Sequence, residues 1–375
     1  MSAKPNIVIA STNKSKFSET FIHDQVEYLP ANVHYIHTNS LPTKYGHNEK
    51  MFLDNTFISR FKIWFRKKYL NQSQEYILKD HIKKYLLKNN IELVLAQYGP
   101  VGVEIMDICK STNIPLIVYF HGFDAYRNDI LEAYSQRYKK LFNIAKNIFV
   151  VSHDMDKQIK TLGAPSEKII YNPCGVNPSK FSYIDPSKNP SNFLYVGRFV
   201  EKKNPIMAIR AFNEVYKSIP ESKLFLVGDG ILKTKSEELV NFLKLNEAVI
   251  FMGIQPHNQI HKLISKSRAF IQSSICPKSG DKEGTPVSIM EASFSGLPII
   301  STKHGGIVDV VIDKKSGFLV DEDDYKSMAK YMIQLSKDSS LATAMGKLGN
   351  KHIKEHFTLN KNIDTIWSTI QEIIH

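Results

Sequence analysis

Residues 283–298 read Glu-Gly-Thr-Pro-Val-Ser-Ile-Met-Glu-Ala-Ser-Phe-Ser-Gly-Leu-Pro, with two carboxylates, Glu283 and Glu291, eight positions apart. The residues between them have the pattern of a helix start. Thr285 suits the N-cap and Pro286 the first helical position, where its missing N–H costs nothing. Glu283 is then expected on the loop before the helix, and Glu291 in its second turn. The free N–H groups and positive dipole end of such a helix favour an anion close by. Acids beside an anion-binding helix end suggest a phosphorylated ligand with hydroxyls to be held, and a nucleotide-sugar fits that description.

Outward from this stretch, short apolar runs alternate with helical patterns. In the first half the runs are Ile7–Ala10, His34–His37, Leu93–Gln97, Leu116–Phe120 and Ile148–Val151. In the second half they are Phe193–Val196, Leu224–Val227, Val249–Met252, Ala269–Gln272, Ile299–Ser301 and Phe318–Val320. Continuous apolar strands alternating with amphipathic stretches, such as Ile22, Val26 and Leu29, imply parallel sheets covered on both faces. The fold class is therefore α/β, with two Rossmann-like doubly wound domains facing a cleft. The Pro-, Ser- and Asn-rich stretch from Asn172 through Ser191 reads as the linker. The expected domains are 1–175 and 190–356. Ile363, Ile366, Trp367, Ile370 and Ile374 stand at helical spacing, so residues 357–375 are expected to cross back onto the first domain.

Composition agrees. A chain of 375 residues is too long for one simple core, and 42% hydrophobic residues support well-filled interiors. No apolar run approaches the roughly 20 residues that span a bilayer. The opening Met1–Ala10 reads as a first strand, because a signal peptide needs a longer apolar core and a cleavage site. Cys109, Cys174 and Cys276 are far apart and form no C-x-x-C pair, so neither a disulfide framework nor a zinc site is expected. A reducing cytoplasm is the simplest setting. The net charge of +12 attracts phosphates on nucleotides, lipid headgroups or nucleic acid.

Several residues can carry chemistry. Gly197-Arg198 follows the run ending at Val196, and Lys203 precedes Asn204-Pro205, an N-cap and first helical residue. Arg198 and Lys203 can neutralise a leaving diphosphate without a metal; they can also be two solvated surface cations. Gly228-Asp229-Gly230 and Gly253 close strands, where they either turn the chain or admit a base or ribose. His121-Gly122-Phe123-Asp124 ends Leu116–Phe120 and places His121 at the carboxyl edge of a first-domain strand. A lone His is usually structural, but a strand edge at a topological switch point favours a functional role. Thr302-Lys303-His304-Gly305-Gly306 is either an anion-binding nest or a simple loop. Phosphate-loop and dinucleotide-binding glycine motifs are absent, which argues against ordinary nucleotide hydrolases and dinucleotide oxidoreductases. Arg60–Tyr69 interleaves basic and aromatic residues. This segment can lie on an anionic membrane surface or pack its aromatics into the core. No nucleic-acid-binding motif accompanies the charge.

Taken in order, these pieces resemble glycosyltransferase family 4, the retaining GT-B enzymes, and in particular bacterial exopolysaccharide transferases of the colanic-acid type. The residues carrying the likeness are Ser18–Ile22, His121–Asp124, Asn172–Asn177 through Phe181, Gly197-Arg198 with Lys203, Gly228–Gly230, Gly280–Gly284, and the Glu283/Glu291 pair. The resemblance implies a nucleotide-diphospho-sugar donor, with Arg198 and Lys203 on its diphosphate. Glu291 is implied on the ribose hydroxyls, and Glu283, with Gly284 and Thr285, on the donor sugar. It further implies a contribution from His121, with Ser18, Glu19 and Asp124 on the acceptor side, and no cofactor or metal. The leaving phosphate takes the acceptor's proton in a same-face reaction, so the demand on the protein is charge stabilisation. The acceptor is expected to be a glycan or lipid-linked precursor at the cytoplasmic face of the membrane. Two departures stand out: Asn13–Ser18 lacks the adjacent glycines often found after the first strand, and Asn204 stands where a Gly often follows the Lys. Ser293-Phe294-Ser295 is also bulkier than usual. A GT-B sugar-nucleotide epimerase and a catalytically silent nucleotide-sugar-binding protein are the alternatives.

Overall fold

The computed structural model describes residues 4–12, 20–46, 48–54 and 56–375. The chain packs as two units, the first of residues 1–151, 155–172 and 363–375, the second of 152–154 and 173–362. Residues 173–175 and 357–362, expected in the first domain, belong to the second unit. The reason is a local backbone splice. Val176 N donates to Phe357 O at 2.9 Å and Leu359 N to Val176 O at 2.8 Å. A Cβ on Gly175 would lie 2.3 Å from the Thr358 backbone, so only glycine permits this approach.

The first unit holds an eight-stranded sheet of β1 (Asn6–Ala10), β2 (Asn32–His37), β3 (Lys44–Tyr45), β4 (Lys50–Met51), β5 (Leu93–Gln97), β6 (Leu116–Phe120), β7 (Asn147–Val150) and β8 (Ile169–Tyr171). The order is β4-β3-β2-β1-β5-β6-β7-β8. All pairs are parallel except β2–β3 and β3–β4. Every residue of β5 and β6 is buried, as expected for strands covered on both faces. The two-residue β3 and β4 carry no apolar run and β8 only the three residues Ile169-Ile170-Tyr171, and the sequence did not reveal them. The helix Leu359–Ile374 sends residues 363–375 into this unit and buries Ile366 and Ile370 completely.

The second unit is a six-stranded, wholly parallel sheet of β9 (Phe193–Val196), β10 (Leu224–Val227), β11 (Val249–Gly253), β12 (Ala269–Gln272), β13 (Ile299–Thr302) and β14 (Gly317–Val320). Its order, β11-β10-β9-β12-β13-β14, reverses between β9 and β12. In such sheets the crevice at the carboxyl ends of the strands flanking the reversal is where ligands bind. The bulky Ser293-Phe294-Ser295 run is accommodated by glycines on a facing helix, Ser339–His356. A Cβ on Gly346 would meet Gly296 O at 1.9 Å, and one on Gly349 would meet Ser293 Oγ at 2.6 Å. Phe294 is thereby buried, and Asn350 Nδ2 donates to its carbonyl.

Candidate functional site

The second unit's site is built on the loops that leave β9 and β12. After β9 the chain passes Gly197 and Arg198, makes a 3-10 turn at Glu201–Lys203, and enters the helix Pro205–Ser218. Asn204 caps that helix with its side chain accepting from Met207 N, at φ 42° and ψ 59°. This left-handed backbone explains the departure noted above, because glycine adopts it freely and asparagine tolerates it. After β12 the chain runs through Ser273 and Ser274 to the Asp281–Gly284 loop.

Two adjacent ion pairs join these loops. Lys202 Nζ lies 2.9 Å from Asp281 Oδ1, and Lys203 Nζ lies 2.9 Å from Glu283 Oε1. Lys203 and Glu283 were assigned to separate parts of one ligand, and here they are in direct contact. Lys202 was not singled out, because nothing in Lys202-Lys203 tells which lysine turns inward; both do. Glu283 is 6% exposed, and Ser274 Oγ donates to the same carboxylate oxygen at 3.0 Å. Burial alone would push the Glu283 carboxyl up, but the charges of Lys203 and Lys202 outweigh it and hold the group at about 2. Burial pulls the Lys203 ammonium below its usual value, and Glu283 offsets part of that. The Glu283 carboxyl is ionised at neutral pH. Arg198, by contrast, is exposed.

The helix after Glu283 spans Val287–Phe294, and Pro286 itself occupies the cap position with no side-chain cap. Thr285 therefore precedes the cap, and the helix starts one residue later than the sequence suggested. Glu291 falls in the second turn and is buried, with His257 Nδ1 3.7 Å from its Oε1. His257 opens the helix His257–Ile264, shortly after Gly253. Gly253 has φ 64° and open space where a Cβ would point. Gly228 differs: a Cβ there would lie 2.0 Å from Gly197 O. Its glycine is demanded by the crossing of two strand-end loops, so the turn reading suffices for it.

The first unit places His121 at the carboxyl end of β6. Its Nε2 lies 2.7 Å from Gln97 Oε1, and Gln97 Nε2 donates to Gln25 Oε1 at 2.7 Å. That network makes Nε2 the protonated nitrogen and leaves Nδ1 a buried acceptor without a partner. Burial holds the His121 imidazole down at about 3, so it is neutral. Asp124 is fully buried and accepts from His121 N, Gly122 N and Gly99 N at 2.9–3.1 Å. Burial raises its carboxyl to about 6 despite these bonds. The carboxylate accepts from the chain's own amides, and these bonds tie down the His121 loop. Ser18 and Glu19 lie outside the described residues.

The sequence of the chain matches two glycosyltransferase profiles, "Glycosyltransferase Family 4" over residues 18–180 and "Glycosyl transferases group 1" over residues 180–352. It is 27% identical over 275 residues to the putative colanic acid biosynthesis glycosyltransferase WcaL of Escherichia coli K12, covering 72% of this chain and 68% of that protein. It is 26% identical over 310 residues to an Escherichia coli UDP-Gal:alpha-D-GlcNAc-diphosphoundecaprenol alpha-1,3-galactosyltransferase, covering 76% of each. Against other relatives the match spans as little as 39% of their length. Among solved structures, Anabaena HepE in complex with UDP and glucose superposes with a TM-score of 0.77 at 16% identity, over 98% of this chain and 100% of that one. At that identity the likeness is one of fold. Neither the epimerase nor the silent binding protein is favoured by these relatives. With both halves matched and the Rossmann-like strand order in place, the chain belongs to the family 4 glycosyltransferases and has the GT-B fold.

Proposed function

We propose that this enzyme transfers a sugar, with retention of anomeric configuration, from a nucleotide-diphospho-sugar to a lipid-linked glycan acceptor in bacterial exopolysaccharide synthesis. The observation that carries the reading is the Lys203–Glu283 contact at the carboxyl ends of β9 and β12, with Arg198 exposed beside Lys203 in sequence. A diphosphate displaces Glu283 from Lys203 and takes the ammonium and the guanidinium as counter-charges. The freed carboxylate then holds donor-sugar hydroxyls, and Glu291 holds the ribose. Departure of the diphosphate is stabilised by Lys203, Arg198 and the start of the helix Val287–Phe294, so the reading needs no metal. The relatives named for colanic acid synthesis and for a diphosphoundecaprenol-linked acceptor support the acceptor class.

Activity is tested by incubating the purified chain with UDP-, GDP- and ADP-sugars and a crude polyprenyl-diphosphate glycan extract. Transfer with retained configuration is expected. Epimerised donor without acceptor, or donor binding with no turnover, would point instead to one of the alternatives.

The same reading places the enzyme on an anionic membrane surface through the helix Phe57–Tyr69. Phe57, Phe61, Trp64 and Phe65 are all exposed, Phe57 at 85%, so these aromatics do not fill the core. At 3.6 residues per turn they share one stripe about 100° wide. Arg60 and Lys67 border it on one side and Lys62 on the other, while Lys68 Nζ sits 4.8 Å over the Trp64 ring. Aromatics flanked by cations suit a headgroup layer. Among the described residues no helix is long and apolar enough to cross a membrane. Co-sedimentation with phosphatidylglycerol vesicles at low salt, weakened at high salt and in Phe61→Ser/Trp64→Ser, is expected; wild type left in the supernatant at low salt overturns this part.

A further inference from the structure

The loop after β13 holds the loop that carries Glu283. Glu283 N donates to His304 Nε2 at 3.1 Å, inside the protein. The other ring nitrogen, His304 Nδ1, lies 2.7 Å from Glu322 Oε1. Glu322 is anchored in turn, because Cys276 N donates to its Oε2 at 2.9 Å. A carboxylate can only accept, so Nδ1 carries the proton and Nε2 offers the lone pair that the Glu283 N–H requires. The carbonyl of the same residue is held too: Gly306 N donates to Glu283 O at 3.3 Å. A Cβ on Gly305 would lie 2.4 Å from that carbonyl, and one on Gly306 would lie 1.8 Å from Gly284 O. The His304-Gly305-Gly306 turn is thus shaped to the Glu283-Gly284 backbone.

We propose that His304, with its tautomer fixed by Glu322, is a positioning residue for Glu283: it sets the main-chain position from which the carboxylate reaches Lys203 when the site is empty and the donor sugar when it is filled. This rests on the reading of Glu283 as a donor-sugar contact. Lys203 and Ser274 hold the carboxylate itself, but once a diphosphate draws Lys203 away, His304 remains as a fixed support of the segment. Catalytic geometry is sensitive to displacements of this size, and a shift of roughly 1 Å can cost about 10²-fold. The diphosphate contacts, on Lys203 and Arg198, do not pass through His304.

The test uses the full chain with His304→Ala, His304→Gln and Glu322→Gln. Amide hydrogen exchange of the 281–285 segment is measured without any donor, and slow exchange at Glu283 should be lost in His304→Ala. With whichever of UDP-glucose, UDP-galactose or UDP-N-acetylglucosamine the wild type uses, kcat should fall about 10²-fold in His304→Ala while the Kd for UDP changes less than about threefold. His304→Gln, whose amide keeps an acceptor, should recover most of the loss. Glu322→Gln retains the His304 side chain and should give an intermediate loss, which keeps the test open should His304→Ala not fold. Unchanged exchange at Glu283, a wild-type kcat in His304→Ala, or equal losses in kcat and UDP affinity would overturn the proposal. A wild type inactive with every donor, but with His304-dependent protection of Glu283, would sink the transferase reading and leave the positioning role standing.

Discussion

Two buried polar clusters, one in each unit, show the same burial ending in carboxyl shifts of opposite sign. In the first unit His121 and Asp124 are desolvated with no counter-ion among their contacts, so the imidazole is held near 3 and the carboxyl rises to about 6. In the second unit Glu283 is buried to a similar degree, yet it falls to about 2, because two lysines face it. Burial penalises charge, and an opposite charge within contact distance reverses the sign. The first cluster is a hydrogen-bonding frame in which backbone amides, and no side-chain cation, hold the Asp124 carboxylate. The second stores a cation and an anion that a charged ligand can separate.

The comparison breaks most visibly at Lys203. Lys203→Ala should lower kcat about 10²–10³-fold and, by leaving Glu283 buried and unpaired, destabilise the fold by about 3 kcal/mol. Arg198→Ala, at an exposed position, should give a similar kinetic loss with an unchanged melting temperature. Steady-state kinetics and thermal unfolding of both variants separate the two effects. Next comes Glu283→Gln, which should lower turnover about 10²-fold and yet bind free nucleoside diphosphate roughly fivefold tighter, because an anion has left the phosphate site. Weaker binding in calorimetry would contradict the displacement of Glu283 from Lys203.

Stability against pH sharpens the contrast with smaller effects of opposite sign. The depressed Glu283 carboxyl contributes stability that is present above its unfolded value of 4.5 and lost as pH falls toward about 2. The raised Asp124 carboxyl works the other way: its contribution is fully present below 3.8 and lost as pH rises through about 6. Urea unfolding across pH 2–7 should therefore show the advantage of wild type over Glu283→Gln shrinking on acidification below 4.5. Its advantage over Asp124→Asn should grow as pH falls from 6 to 3.8. The smallest effect concerns His121. Since it is neutral throughout, His121→Gln should leave the shape of the pH–rate profile between pH 5 and 8 unchanged, whatever it does to the rate.

The major parallel strands could be read from the chain because each is a continuous apolar run. Leu93–Gln97, Leu116–Phe120, Phe193–Val196, Leu224–Val227 and Ala269–Gln272 were placed to the residue. The β3–β4 ribbon was invisible, since two residues per strand make no pattern. The Asn204 cap was legible from its Asn-Pro signal, whereas the end at Pro286 was misplaced by one residue, because a Thr-Pro pair does not show which residue takes the cap. Lys202 and His304 were missed as functional neighbours for another reason. Their partners, Asp281 and Glu283, lie 79 and 21 positions away, and local sequence carries no trace of such a meeting.

The sequence by itself determined the α/β class, the succession of buried strands and the set of charged residues at their carboxyl ends, because periodicity and apolar run length are local properties. Only the tertiary structure decided which charges meet, that Asp124 turns to backbone amides, that both Lys202 and Lys203 face inward, and that a histidine props the Glu283 peptide. Those outcomes depend on desolvation and on close backbone crossings, which exist only once loops distant in the chain have been folded against each other.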